Sequence, residues 1–330
     1  MKRVSVIIPS YNRASLVLET IRNLQAQTLL PFEIIIVDDG STDGSREILR
    51  SITTGIIVIE QPNAGPGAAR NAGLAVASGE FVQFMDSDDL ASLNKLEAQV
   101  VALEEKQADM AFSPWLHIEW GAGLKTTPRD VLQTRHPGYQ RSLLHWHLMG
   151  WCLVLQNCLF RRSFLERVGN LKTDLLGTED WEYFNRIFLA NPSTVFTPNC
   201  FLFYRLHNGD KLSDSGTTSQ KKSEELAKAA RYIESNMADR SITISWFSRL
   251  FLRFKFYEIE QSSATIILTL RPKAMEKLLF CLFSFRNWLS AGVRRRFLGH
   301  SWQSFYHRQV PSSVHFKLMN EAGILYSDPS

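Results

Sequence analysis

The chain places Asp86, Ser87 and Asp88, with Asp89 behind them, directly after the apolar run Glu80-Phe81-Val82-Gln83-Phe84-Met85. That run reads as a buried strand, and carboxylates at a strand's end face the crevice in which open α/β sheets bind ligands. Acidic groups crowded there repel one another unless a cation joins them. A hard divalent ion such as Mn²⁺ or Mg²⁺ takes oxygen ligands, often one or two carboxylates completed by substrate phosphates. An Asp-x-Asp triplet alone is common, so its weight comes from its surroundings. Asp89 reads more simply as the N-cap of a helix that Ala91-Ser92-Leu93 would begin. A second carboxylate pair, Asp38-Asp39, closes residues 33–37. Taken alone it fits a ligand site and a turn closed by local side-chain hydrogen bonds equally well.

Gly65-Pro66-Gly67-Ala68-Ala69-Arg70 lacks the third glycine of a dinucleotide fingerprint and the Gly-Lys-Ser/Thr of a P-loop, which disfavours both enzyme classes. Its glycines let the backbone approach a ligand or a neighbouring strand closely. Arg70 has two uses open to it, a phosphate or one of the aspartates. Glu179-Asp180-Trp181 opens a helical pattern after Thr178. Acids there are ordinary partners of a helix dipole, and Thr178 could cap the helix.

The elements that must hold these groups alternate. Residues 3–9 form a β-branched run closed by Pro9. Val17, Ile21 and Leu24 then recur at helical spacing, and residues 33–37 form a second strand. A helix through Leu49, capped within Ser41-Thr42-Asp43, leads to a third strand at residues 55–60. A helix opening across residues 63–73 precedes the strand that ends at Asp86. Strands alternating with helices give an α/β fold with a mostly parallel sheet and helical crossovers.

Taken together, these segments resemble the family 2, inverting glycosyltransferases of GT-A fold. The resemblance is carried by Val4-Ser5-Val6-Ile7-Ile8-Pro9-Ser10-Tyr11-Asn12-Arg13, Val37-Asp38-Asp39-Gly40-Ser41-Thr42-Asp43-Gly44 and the Asn63 to Gly73 stretch. Phe84-Met85-Asp86-Ser87-Asp88-Asp89, Thr178-Glu179-Asp180-Trp181 and Tyr204-Arg205-Leu206-His207 complete it, in the family's order. It implies a nucleotide-sugar-binding, Rossmann-like sheet flanked by helices across residues 1–215, with a helical basic and aromatic region at 216–330. It implies a donor, a UDP-sugar by preference, bound by Pro9, Tyr11, Asp38, Asp39, Arg70 and Asp86. The carboxylates would accept base N–H groups or ribose hydroxyls, and Tyr11 would offer a ring face. It implies a divalent cation, Mn²⁺ or Mg²⁺, on Asp88 and His207, acting as Lewis acid and template. Asp180 is then the general base that deprotonates the acceptor hydroxyl in a single displacement, with Glu179 as supporting acid. The acceptor class is a saccharide or lipid-linked saccharide in bacterial cell-surface polysaccharide or glycolipid synthesis. Where the family commonly has Gly-Gly-Phe ahead of the Glu-Asp motif, this chain has Gly169-Asn170-Leu171.

Composition agrees with a folded protein: 45% of the 330 residues are hydrophobic and 21% charged. The first strand begins too early to leave room for a signal peptide. Cys152, Cys158, Cys200 and Cys281 show no C-x-x-C spacing and read as free thiols in a reducing compartment. His145 and His147 would alternate on a strand with no third metal ligand in view, and read as packing. Trp115, Trp120, Trp146 and Trp151 could line an acceptor site or cover a sheet edge. Residues 219–237 read as a polar helix. Residues 241–310 hold 11 Lys/Arg against 3 Asp/Glu, with interleaved Phe and Trp and no run long enough to span a bilayer. Basic, aromatic amphipathic helices are the pattern of proteins on an anionic membrane surface, and a packed helical subdomain is the other reading. A cytoplasmic protein follows, peripheral on the inner face of the membrane if the first reading holds. No nucleic-acid motif accompanies the charge. Two other classes remain: a catalytically silent, membrane-associated assembly partner, and a sugar-phosphate nucleotidyltransferase. The second should carry a basic, glycine-rich loop where this chain has Pro9-Ser10-Tyr11-Asn12.

Overall fold

The apolar runs form strands and the amphipathic stretches form helices, in the order the alternation predicts. The structure, a computed structural model, describes residues 3–52, 55–119, 131–132, 143–148, 153–206 and 219–239. Its first half runs β1 (Val4–Ser10), α1 (Val17–Gln25), β2 (Glu33–Asp38), α2 (Ser45–Ser51), β3 (Ile57–Glu60), α3 (Pro66–Val76), β4 (Phe81–Phe84), β5 (Leu90–Ala91) and α4 (Lys95–Glu105). β6 (Met110–Phe112), β7 (Trp115–Glu119), β8 (Val131–Leu132), α5 (Leu143–Leu148), a 3₁₀ turn at Leu155–Asn157, β9 (Cys158–Arg161), α6 (Arg162–Val168), α7 (Glu179–Leu189), β10 (Thr194–Phe196), β11 (Leu202–Leu206) and α8 (Ser219–Asp239) follow.

Seven strands pair in the order β10-β6-β9-β4-β1-β2-β3. β1 is parallel to β2 and β4, β2 to β3, and β10 to β6, while β9 runs antiparallel between β4 and β6. Because side chains alternate across a strand, β1 feeds two cores. Val4, Val6 and Ile8 pack with Ile34, Ile36, Leu49 and the apolar stripes of α1 and α4. Ile7 packs on the other face with Ile35, Val37, Ala69 and the inner residues of α6 and α7. The sheet is therefore a middle layer buried on both sides, which explains strands without polar alternation. Each fully buried aliphatic or aromatic side chain contributes about 1.5–3 kcal/mol relative to exposure.

A smaller sheet has the order β5-β11-β7-β8. β5 lies antiparallel to β11, pairing Ala91 with Leu202 and Leu90 with Phe203. This replaces the helix expected at Ala91-Ser92-Leu93: the strand partner supplied by β11 takes these residues, and the helix starts at Lys95. α2 starts later than expected as well. Gly44 sits before it at φ 86°, and Asp43 caps it from outside by accepting from the Ser45 amide at 3.0 Å. The two histidines lie on helix α5, not a strand, and His147 packs its ring on Phe184 and Phe188. Cys158 and Cys200 are free and buried.

α8, the expected polar helix, packs on α7. Ala227, Ala229, Ala230 and Ile233 are buried there, and Asn236 donates to Glu182 at 2.9 Å. Among the described residues, no helix is long and apolar enough to cross a membrane. The domain boundary at 215/216, the basic tail, Cys152, Cys281, Trp120 and Trp151 lie outside the described residues.

Candidate active site

The chain leaves β1 for β2 on one side and returns as β4 on the other, so the loops after these three strands meet at a switch point of the sheet. Such points are where open α/β sheets take ligands. The loop after β1 is stitched to the loop after β2. Asn12, at φ 52°, accepts the Thr42 amide at 2.8 Å and donates its own to Ser41 Oγ at 3.0 Å. The amides of Arg13 and Ala14 go to Ser45 Oγ and Asp43 at 2.9 and 3.1 Å. Pro9 lies in β1 opposite Val37, and Tyr11 stands 42% exposed on the rim.

Asp38 and Asp39 are both buried. Asp38 Oδ2 accepts from Arg46 at 3.2 Å and from the Ser41 amide at 3.3 Å, the local turn foreseen for it, while Oδ1 is buried without a partner. Asp39 accepts from Gln61 Nε2 at 2.7 Å and from the amides of Ala64 and Gly65, both at 2.9 Å. It thereby sets the course of the glycine loop. Gly65 sits at φ 87°, a backbone conformation that residues with a side chain rarely adopt. A Cβ on Gly67 would lie 2.6 Å from the Lys172 carbonyl oxygen. These two glycines let α3 lie directly against the loop that leads into α7.

That contact brings Arg70 between the two acidic motifs. Its guanidinium bonds Asp86 Oδ1 at 2.8 Å and Glu179 Oε1 at 2.9 Å. Burial works against its charge, but the two carboxylates hold it firmly protonated. Asp86 also accepts from Gln156 Nε2, and its proton affinity is raised, chiefly by burial, with Arg70 opposing and Asp88 adding to the rise. Asp180 is half-buried beside this group and accepts the Trp181 amide at 2.7 Å. Burial and the charge of Glu179 push its pKa up to about 7, against the pull of Arg70. A carboxylate titrating near neutrality is suited to taking a proton and releasing it.

Asp86, Asp88 and Asp89 each bring a carboxylate oxygen within 4.8 Å of the others. An all-oxygen donor set of this kind fits Mn²⁺ or Mg²⁺. Two of the three are engaged inward: Asp86 by Arg70 and Gln156, Asp89 by the Arg205 amide at 3.1 Å, a bond that replaces its expected role as helix cap. Asp88 bonds Arg13 Nε at 3.1 Å near the surface of the cleft. One turned-out carboxylate, with the rest of the shell left to substrate phosphates, is the usual way such ions are held.

The profile of glycosyl transferase family 2 matches residues 5–169, which include the loops after β1, β2 and β4. An uncharacterized glycosyltransferase of Nostoc sp. (strain PCC 7120) is 32% identical over 238 residues, 68% of this chain and 71% of the relative. The chain belongs to glycosyl transferase family 2. An uncharacterized glycosyltransferase of Rickettsia bellii (strain RML369-C) is 37% identical over 119 residues, 36% of this chain but only 17% of that relative's length. Among solved structures, S. aureus TarS 1–349 in complex with UDP-GlcNAc aligns with a TM-score of 0.58 at 22% identity, covering 83% of this chain and 77% of that one. That likeness shows the GT-A fold.

Of the residues expected in the glycosyltransferase site, Arg70, Asp86, Glu179 and Asp180 form one electrostatic cluster. Asp88 lies beside Asp86, and Pro9, Tyr11, Asp38 and Asp39 belong to the loops after β1 and β2. His207 falls outside the described residues. Arg13, Gln61 and Gln156 were not singled out. Arg13 stood inside a quoted motif and its pairing with Asp88 could have been asked of the sequence. Gln156 lies where the family pattern fades, and only the antiparallel insertion of β9 carries the turn before it up to Asp86.

Proposed function

We propose that this protein transfers a sugar from a nucleotide-diphospho-sugar, a UDP-sugar, to a hydroxyl of a saccharide or lipid-linked saccharide, with inversion at the anomeric carbon. The observation that carries this reading is the Arg70 bridge, which draws the Asp86 loop and the Glu179-Asp180 motif into one cleft. The TarS structures, solved with UDP-GlcNAc and with UDP, support the choice of donor class.

In this reading Tyr11, Pro9, Asp38 and Asp39 frame the nucleoside end. Asp38 Oδ1, buried without a partner, is the acceptor atom available to it. Asp86 takes the ribose side. Asp88, with His207, would hold a divalent cation, whose charge would offset that developing on the departing diphosphate. Asp180 removes the acceptor's proton as its oxygen attacks the anomeric carbon from the face opposite the leaving group. Glu179, pinned by Arg70, positions that carboxylate and raises its basicity. With Asp86 and Glu179 engaged by Arg70 and Asp180 acting as the base, a single displacement turns an α-linked donor into a β-glycoside. The basic, aromatic tail suits an acceptor carried on a membrane lipid in cell-surface polysaccharide synthesis.

The test is a panel of nucleotide sugars assayed with Mn²⁺, with EDTA, and with each ion restored. Transfer or donor hydrolysis should need the ion, and NMR of the product should show inversion. An α product from an α donor, or turnover unaffected by EDTA, would overturn the mechanism.

A further inference from the structure

Arg205, on β11, is entirely buried. Burial lowers its proton affinity, and Glu19 and the Asp88–Asp89 pair oppose that loss. Its side chain is committed on every side. One nitrogen pairs with Glu19 on α1, and Nε donates to the backbone carbonyl of Asp88. Nη2 donates to Leu16 O at 3.3 Å and to Thr20 Oγ1 at 3.0 Å. Its amide, on β11, donates to Asp89 Oδ1 at 3.1 Å.

Thr20, also fully buried, faces the same loop from α1. Its hydroxyl lies 3.0 Å from Ser87 O and 2.9 Å from Asp89 O. The carbonyls of three successive residues, Ser87, Asp88 and Asp89, are therefore all drawn inward to one threonine and one arginine. β5, immediately beyond, is zipped to β11. A peptide whose carbonyls are fixed on one side has its side-chain directions fixed too. Asp89 is turned in to the Arg205 amide, and Asp88 reaches the other way to Arg13 Nε at 3.1 Å, with 15% of its side chain exposed.

We infer that Arg205 and Thr20, with Glu19 behind them, are positioning residues that hold the Asp86–Asp89 loop in the orientation that presents Asp88 to a divalent cation. The inference rests on the reading of Asp88 as the metal ligand. Groups that orient a metal ligand from behind typically change metal affinity by about 10–100-fold when removed.

The readout is calorimetric UDP binding at graded Mn²⁺, which needs no turnover. Thr20→Val keeps the side chain's shape and loses both carbonyl contacts. Arg205→Met loses the fork. Each should raise the Mn²⁺ concentration for half-maximal UDP binding by about 10-fold or more, with UDP affinity recovering at saturating Mn²⁺. Leu103→Ala, in the core of α4, lowers stability by about 2–5 kcal/mol and should leave that midpoint in place. If Arg205→Met does not fold, Thr20→Val decides. A midpoint for Thr20→Val within about two-fold of wild type, or an equal shift in Leu103→Ala, overturns the inference. UDP binding by the wild type that ignores Mn²⁺ overturns the metal reading itself, and the inference with it.

Discussion

Asp180 combines two properties that pull in opposite directions. Its pKa is raised from an ordinary 3.8 to about 7, so it can serve as a base near neutrality. The same shift costs stability. Between about pH 4 and pH 7 the folded chain holds a proton that the unfolded chain has released, so stability falls as pH rises, and above about pH 7 the full cost is present. Asp180→Asn should therefore raise stability at pH 8 by roughly 1–2 kcal/mol once partial exposure is discounted, seen as a higher melting temperature, and the gain should vanish toward pH 4. Transfer by the same variant should fall by about 10²–10⁴-fold with UDP binding intact. In the wild type, kcat/KM should decline below about pH 7 as the base protonates. A variant that transfers within a few-fold of wild type would move the base to Glu179. These carboxylates were legible in the sequence because each closes a strand or opens a helix inside a motif. Their partners were less so. Asp39 spends its bonds on the loop at residues 61–65, a long-range consequence of β2 and β3 lying side by side that no local spacing announces.

At the scale of elements, the decisive contact is that of α3 with the loop before α7. Gly67 stands where a methyl group would strike the Lys172 carbonyl, and backbone on both sides leaves little room to yield. Gly67→Ala should push the loop, and with it Glu179 and Asp180, out of register with Arg70. The expected result is a loss of kcat approaching about 100-fold, the scale for a displacement of about 1 Å, with a smaller change in UDP binding. Equal losses in both would mean that the donor half moves as well. The strands and helices of the first 86 residues were readable from apolar runs and helical spacing, β3 and β4 at four residues each among them. The sheet partners of later strands were not. β5 has two residues and exists because β11 pairs with it, and β9 joins the sheet against the grain of its neighbours. Pairing across more than a hundred residues leaves no signature in a local window. α5 shows the converse: two histidines spaced by one suggested a strand, while burial of His147 against Phe184 and Phe188 goes with a helix.

For the whole molecule, the sequence divides into a part whose geometry follows from its motifs and a basic stretch whose proposed role rests on its charge. Residues 241–310 carry an excess of +8, from 11 Lys/Arg and 3 Asp/Glu. Basic residues near an anionic bilayer contribute about 1 kcal/mol each, and salt screens them. The full-length protein should sediment with vesicles rich in anionic lipid at low salt, less with neutral vesicles, and should be released as salt is raised. Recovery in the supernatant under all three conditions would favour a packed helical subdomain instead.

The Arg70 bridge has a consequence for how the two substrates sense each other. One guanidinium shares its charge between Asp86, on the proposed donor side, and Glu179, on the proposed acceptor side. Whatever draws on one half changes what is left for the other, so the two sites are linked through a common counter-ion. Linkage is reciprocal: the factor by which a bound donor changes acceptor affinity is the factor by which acceptor changes donor affinity. Replacing Arg70 with Met should bring that factor toward unity, measurable as UDP affinity with and without acceptor. On the proposed reading, the arginine makes the strength with which two bound molecules sense each other a property of the protein's own charge balance.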